Sequence, residues 1–483
     1  MNLDLRPLFP SIIVAVTGLG VLLVQAFTPR GRRSMAAPLS LLGLVLALAA
    51  VLVMAGSTAR GRGAAVANSF VADDFALFFH ALILGIAIVA VLLSPSYLKA
   101  IGLDRGEYYT LILFSVFGML GLVSALDLIS LFVALEIMSI ALYALSGMQR
   151  DRPESQESAI KYFLTGAFSS AFFLYGIALL YGVSGSTALG DIAAAVGTRR
   201  GEALALPLLG AGLLLVGFGF KVASVPFHMW APDVYEGAPT TVTAFMSAGV
   251  KAAAFGALLR VFGQALPALA DGWQPAVGVL ALVTMVVGNL GALAQSNVKR
   301  MLAYSSVAHA GYVMTALVAA PRVAAEAVLF YLVAYAAVNL GGFGAIAALA
   351  RDGREPLSLS DFAGLGERRP ALAAAVTVFL ISLTGVPVSA GFVGKFQLFS
   401  AAVRADHVLL AIVGVTMSVV SAYYYLRVVV YMYMKDPLGE DSWAAVSPGA
   451  SLALAVSAAT VLALGVYPGP VLAFARAAAQ ALP

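Results

Sequence analysis

Apolar runs of about 20 residues recur from one end of this chain to the other. A run of that length carries a helix across roughly 30 Å of hydrocarbon. Lipid offers no partner to a backbone N–H or C=O, so a continuously apolar run must bond to itself as a helix. Composition agrees: 61% of the 483 residues are apolar and 11% are charged, against about a quarter charged in a soluble domain. The fold class expected is an all-α integral membrane protein. Fourteen spans are expected, near 8–27, 36–56, 75–95, 107–126, 128–147, 160–182, 205–227, 240–262, 275–293, 302–320, 325–350, 371–400, 408–433 and 449–471. The longest polar loops are RDGREPLSLSDFAGLGERR (351–369) and KDPLGEDSW (435–443), so no extramembrane domain is expected.

Composition also excludes chemistry. The chain has no Cys, which removes disulfides, thiolate metal sites and iron–sulfur ligation. The four His, at 80, 228, 309 and 407, are far apart in sequence, and no metal site is expected. No basic run interleaved with aromatics exists, so nucleic acid is not an expected partner; the lipid bilayer is. The start, MNLDLRPLFPSIIVAV, lacks a basic n-region and a small-residue cleavage site, and reads as a retained first helix. Loops after odd-numbered spans hold fourteen Lys and Arg, from Arg30 to Lys435; the other side, termini included, holds nine. The positive-inside bias then places both termini on the outer side.

A weak internal repeat is visible. AIKYFLTGAFSSAFFLYGIAL in span six resembles AVLFYLVAYAAVNLGGFGAIA in span eleven, and LLRVF at the end of span eight resembles YLRVVV in span thirteen. Two five-helix units fit, spans four to eight (107–262) and nine to thirteen (275–433), after an N-terminal segment (1–106) and before a C-terminal one (434–483). An odd number of spans per unit inverts the second relative to the first, a plan common in transporters. Each unit has one span with breakers in its last-but-one place: Gly217, Gly219 and Pro226 in span seven, and Gly385, Pro387 and Gly391 in span twelve. Interrupted spans at matching places point to an ion path.

The charges inside the spans are few. Lys221, Lys251 and Lys395 lie too deep for an easy escape to the surface, and Glu136 is the only acid in the middle of a span. Lys161 and Arg427, nearer span ends, can snorkel. A Lys at the bilayer centre costs at least roughly 2.5–3.5 kcal/mol, so a buried charge is a functional candidate by default. The alternative is that each Lys snorkels or locks a helix pair in a structural ion pair. Chemistry favours a proton relay, because desolvation discourages a charged ammonium while a nearby carboxylate restores it. Unit charges 4 Å apart interact by about 4 kcal/mol at an effective dielectric of 20. Modest movement of a carboxylate can therefore load and unload an ammonium. His228, seven residues past Lys221 and beyond Pro226, and His309, beside Ser305 and Ser306, are relay candidates or hydrogen-bonded structural groups.

These same segments carry a family resemblance. LFVALEIMSIALYAL, KYFLTGAFSSAFFLYGIALLYG, GFGFKVASVPFHMWAPDVYEGAPTTVTAFMS, VKRMLAYSSVAHAGY and GVPVSAGFVGKFQLFSAA resemble the antiporter-like membrane subunits of respiratory complex I, the proton-pumping NADH:quinone oxidoreductase. The likeness runs from about span four to span thirteen. Within that group GKFQLFSAA, with Lys395 where the subunit M branch typically has Glu, is most similar to the subunit N branch. The resemblance implies that Glu136 pairs with Lys221, that Lys251 is the central lysine, and that protons leave from Lys395. It also implies that His228 and His309 lie on the polar axis between them. NAD, FMN, iron–sulfur clusters and quinone would then belong to partner subunits, with no cofactor in this chain. Partners implied are antiporter-like subunit M and the small subunits K, J, A and H, in a bacterial plasma membrane. Subunits of multisubunit Na⁺/H⁺ antiporters and membrane-bound hydrogenases share the ancestry and are the runner-up reading.

Overall fold

The computed structural model describes residues 5–28, 35–57, 65–66, 69–437 and 445–482. Arg30, Arg32, Arg33, Arg60 and Arg62, which entered the loop-charge comparison, lie outside the described residues, as does most of KDPLGEDSW. The structure is almost wholly helical. Three N-terminal helices, α1 (Phe9–Phe27), α2 (Ala36–Ser57) and α3 (Asp74–Ala100), pack in sequence, with a two-residue hairpin between the last two, β1 (Ala65–Val66) and β2 (Phe70–Val71). There follow α4 (Gly106–Ser124), α5 (Leu128–Ser146), α6 (Pro153–Ser184), the short surface helix α7 (Leu189–Gly197), α8 (Ala205–Val222), α9 (Trp230–Gly237) and α10 (Thr240–Arg260). The next series is α11 (Ala270–Leu293), α12 (Val298–Ala316), α13 (Pro321–Ala348), the one-turn α14 (Leu365–Arg368), α15 (Pro370–Thr384), α16 (Ala390–Arg404) and α17 (Val408–Met434). Helices α18 (Pro448–Val466) and α19 (Gly469–Ala479) close the fold against α3 and α13.

Helix starts follow from local chemistry. Asp73, Asp127, Asn297, Ser389 and Ser447 each accept a bond from a first-turn backbone N–H, supplying a donor-hungry helix end with an oxygen. Pro153, Pro321, Pro370 and Pro448 stand at first-turn positions where no N–H is needed.

Twelve helices among the described residues are long and apolar enough to cross a membrane. The two expected spans outside that group are informative. Span ten is α12, whose residues include Lys299, Arg300, Ser305, Ser306 and His309, and which lies almost entirely in the interior. Span twelve is two short helices, α15 and α16, separated by an irregular stretch. Span seven is likewise interrupted, but its expected end at 227 falls short. A second helical piece, α9, runs on to Gly237 because PDVYEG finds charged partners on neighbouring helices.

The centre of the molecule is α10, every residue of which is buried, against α13, α3 and α4. The outside is apolar too: Phe27, Val53, Phe168, Val419 and Val466 are more than two-thirds exposed, as lipid-facing side chains would be.

Both interruptions end on a left-handed residue. Ala223 has φ 59° and Gly385 has φ 91°. In the second break the chain turns back so closely that a Cβ on Gly391 would lie 1.8 Å from the Ser382 carbonyl oxygen. Only glycine fits there. Gly391→Ala is expected to cost about 1–3 kcal/mol through overpacking, read as a lower thermal unfolding midpoint of the purified protein in detergent, whereas Gly102→Ala, which meets no atom within 4 Å but is also left-handed at φ 71°, pays only the backbone strain.

Candidate functional site

The first break leaves helix-end groups that must be satisfied inside the protein. Trp230 Nε1 donates to the Phe220 carbonyl at 3.1 Å, and the Val225 N–H donates to Thr284 Oγ1 at 2.9 Å. Lys221, the penultimate residue of α8, is 2% exposed. Its Nζ donates to Ser139 Oγ at 2.7 Å and to Tyr143 OH at 3.4 Å. It also faces the rings of Phe220, Tyr143 and Tyr162 at 5.3, 5.4 and 5.6 Å from their centroids, a cation–π cradle. Glu136 stands one turn before Ser139 on α5, half-buried, and accepts from Ser170 Oγ of α6 at 2.5 Å. Among the described residues Glu136 and Lys221 form no ion pair: the ammonium is bonded to Ser139, whose own hydroxyl donates to the Leu135 carbonyl, and the carboxylate to Ser170. The carboxylate and the ammonium sit within electrostatic reach but apart.

Lys251 projects from the middle of α10, 2% exposed, and donates to the backbone carbonyl of Ser306 on α12. The Ser306 hydroxyl bonds to Tyr335 OH at 2.7 Å, and the Tyr335 ring lies 5.7 Å from the ammonium. His309, three residues on from Ser306, bonds through Nδ1 to Tyr331 OH and through Nε2 to Tyr425 OH at 3.1 Å. Tyr425 also bonds to Ser305. His309 is near enough to both Lys251 and Lys395 to feel their charge.

Lys395, 5% exposed on α16, donates to the Leu383 and Thr384 carbonyls at 2.8 and 3.0 Å and to Ser418 Oγ at 3.1 Å. These carbonyls are the ones freed where α15 ends, so the ammonium and the break satisfy each other. Its Nζ lies 4.7 Å from the Tyr312 ring centroid. Tyr312 OH in turn accepts from Asn289, whose side-chain oxygen accepts from Tyr424, each at 3.0 Å.

Five of the six residues marked in the sequence therefore fall into two groups: Glu136 with Lys221, and Lys251 with His309 and Lys395. His228 is not brought into either. It sits half-buried in the first break and makes no hydrogen bond to the other five. Neither snorkelling nor structural ion pairing describes the three lysines. All are buried, and among the described residues none has a carboxylate within 4 Å; each ammonium is held by hydroxyls, carbonyls and rings. Lys161 does not snorkel but pairs with Asp233 and Glu157 at 2.6 and 2.5 Å, and Arg427 bonds to the Gln295 carbonyl.

True ion pairs occur elsewhere, where the sequence reading missed them. Arg260, at the end of α10, makes a bidentate pair with Asp73 at 2.8 Å to each oxygen and also donates to the Val123 carbonyl. His80 lies nearby, bonded to Ser124 at 2.8 Å. At the opposite end of α10 the carboxylate of Glu355 accepts from Tyr97 and Thr240 at 2.6 and 2.5 Å, with Arg152 and Lys299 each 3.6 Å from its other oxygen. Burial alone would push the Glu355 carboxyl up, but Lys299, the two hydroxyls and Arg152 hold it below the ordinary carboxylate range. Beside it, Arg300 joins α12 to α9 through Asp233 and Glu236 at 2.8 and 2.7 Å. All four acids were readable only as loop charges, because their partners are 56 or more residues away.

Buried lysines beside interrupted helices in a polytopic bundle define an antiporter-like membrane protein. Comparison with known proteins supports this. Residues 125–421, more than half the chain, match the family described as NADH:quinone oxidoreductase/Mrp antiporter, TM. NADH-quinone oxidoreductase subunit N of Trichlorobacter lovleyi is 46% identical, over 99% of this chain and 98% of its own length. A chain of respiratory complex I from Thermus thermophilus, 39% identical, superposes with a TM-score of 0.82 over 96% of this chain and 98% of that one. A chain of the Mrp complex from Dietzia sp., at 22% identity and TM-score 0.87, shares the fold over 99% of this chain and 98% of that one. The chain belongs to the NADH:quinone oxidoreductase/Mrp antiporter family, on its NADH-quinone oxidoreductase subunit N branch.

Asp73→Ala is expected to destabilise the protein by about 3–5 kcal/mol, by leaving Arg260 buried and uncompensated. Thermal unfolding in detergent measures this, and the double variant Asp73→Leu with Arg260→Met should recover most of the loss.

Proposed function

We propose that this chain moves protons across the membrane as the subunit N component of a proton-translocating NADH:quinone oxidoreductase. Glu136, Lys221, Lys251, His309 and Lys395 are the proton-carrying groups. The observation that carries this reading is how the three ammoniums are held. A lysine that serves only to lock two helices is paired with a carboxylate, as Arg260 is here with Asp73. Lys221, Lys251 and Lys395 are bonded to neutral oxygens. Loss of a proton from any of them leaves a neutral amine with two N–H donors for its remaining acceptors and orphans no acid.

In this reading a disturbance from partner subunits brings Glu136 and Lys221 together or apart. The Ser139 hydroxyl holds the ammonium while the pair is apart. The Ser306, Tyr335, His309 and Tyr331 hydroxyls and ring nitrogens offer exchangeable protons between Lys251 and Lys395, and Lys395 releases outward beside the second break. His228 is a structural group of the first break. The redox groups, NAD, FMN, iron–sulfur clusters and quinone, belong to other subunits of the complex; the membrane neighbours of this chain are antiporter-like subunit M and the small subunits K, J, A and H. The location is a bacterial plasma membrane with both termini outside. A Na⁺/H⁺ antiporter subunit is the second reading; the 46% identity to a subunit N sequence, against 22% to the Mrp chain, favours the first.

Lys221→Ala and Lys395→Ala should each leave the complex assembled while cutting its coupled proton-translocation rate in membrane vesicles. Replacement of either lysine with no effect on proton translocation by an assembled complex would remove the basis of the proposal. Ser139→Ala, which takes away the hydroxyl that accepts from Lys221, should slow translocation less than Lys221→Ala does.

A further inference from the structure

Lys251 needs a source of protons, and the lysine network just described leads from it only towards Lys395. Helix α10 has a second polar feature. Thr240, Thr243, Ser247 and Lys251 are spaced by three, four and four residues, which places all four within about 80° of arc on one side of the helix. Neighbours in the stripe are separated by roughly 4.5–6 Å along the axis, a gap that one bridging water spans. All four are buried. Thr243 Oγ1 donates to the Tyr235 carbonyl at 2.8 Å and Ser247 Oγ to the Ala244 carbonyl at 3.0 Å, so each turns its hydroxyl when it passes a proton; beyond the stripe, α10 is built of Ala, Gly, Val, Phe, Met and Leu with a terminal Arg over Ala244–Arg260.

The stripe starts at an acid. Thr240 Oγ1 donates to Glu355 Oε1 at 2.5 Å. The other carboxylate oxygen, Oε2, is buried and has no hydrogen-bond partner, with Arg152 and Lys299 3.6 Å away, too far to donate. The Arg152 side chain is 26% exposed and is the one member of the cluster that reaches the surface. Glu355 thus stands between the aqueous face at the basic loops and the first hydroxyl of the stripe.

We propose that protons reach Lys251 from the basic-loop side by way of Glu355 and the hydroxyls of Thr240, Thr243 and Ser247. The inference rests on the reading of Lys251 as a proton carrier. A proton from the aqueous face adds to Glu355 Oε2, giving the neutral acid; the carboxyl then turns its O–H to Thr240, whose hydroxyl swings from donating to accepting, and the acid returns to carboxylate by releasing the proton to it. Each hydroxyl accepts a proton on a lone pair and releases its own onward, so it is unchanged by the passage. The amine of Lys251 takes the last proton and becomes the ammonium. The two cations beside Oε2 keep the carboxylate charged between passages and guard it from the surface.

The test is made on the complete complex in membrane vesicles, with Thr240→Val and Ser247→Ala as hydroxyl deletions of nearly unchanged shape. Thr240→Ser and Ser247→Thr are the hydroxyl-keeping controls. The deletions should lower the proton-translocation rate per assembled complex, and the controls should hold it near the parent rate; a hydroxyl that only packs would not distinguish Val from Ser in this way. Parent-like translocation in both deletion variants overturns the route. Lys251→Ala, measured alongside, separates the two ideas: if it is impaired while the deletions are not, the route fails and the carrier role stands, and if it too matches the parent, the carrier role fails. Should a deletion variant not assemble, the pair Thr243→Val and Thr243→Ser is read in the same way.

Discussion

The structure depends on one constraint: inside a lipid layer, no polar group can be left to water. Each interruption of a membrane helix creates orphaned carbonyls, and each buried lysine creates three donors that need acceptors. At the second break these demands cancel, since Lys395 donates to the last two carbonyls of α15. At the first break the carbonyls find an indole instead, from Trp230. Lys221 is thereby left to hydroxyls and aromatic faces. The two breaks look alike in the chain yet hold their ammoniums differently, one against the carbonyls of a helix end, the other against hydroxyls and aromatic faces.

Much of this was legible in the amino-acid sequence. Helical class follows from run length, and the places of both breaks follow from Gly and Pro clusters. The three lysines and Glu136 stand out because a charge in hydrocarbon is conspicuous. What joins them was hidden. Tyr331, Tyr335, Tyr425 and Tyr312 read as ordinary apolar-span aromatics, and only the fold turns their hydroxyls towards Lys251, His309 and Lys395. Ser139 gave no signal, since a single Ser in an apolar helix usually bonds back to its own turn, as this one also does with Leu135. His228, which the sequence offered as a relay group or a structural group beyond Pro226, sits half-buried in the first break, away from the two lysine groups.

The ion pairs were missed for another reason. Asp73 and Arg260, or Glu355 and Lys299, lie far apart in the chain, and each partner taken alone is a plausible loop or span-end charge. Pairing is a property of tertiary contact. It also explains why α9 exists at all: Trp230–Gly237 is too short to persist alone, and Asp233 and Glu236 tether it to Arg300, with Lys161 holding Asp233 from α6.

That tether has a mechanical side. Arg300 sits in the first turn of the helix that also bears Ser305, Ser306 and His309, while α9 is the continuation of the helix that bears Lys221. A tilt of either piece is therefore transmitted to the other through a clasp of three side chains, like a crank between two rods. Because that clasp is partly open to solvent, with its members between 28 and 29% exposed, its grip weakens as salt concentration rises, and the stiffness of the linkage becomes a quantity that ionic strength can tune from outside the hydrocarbon.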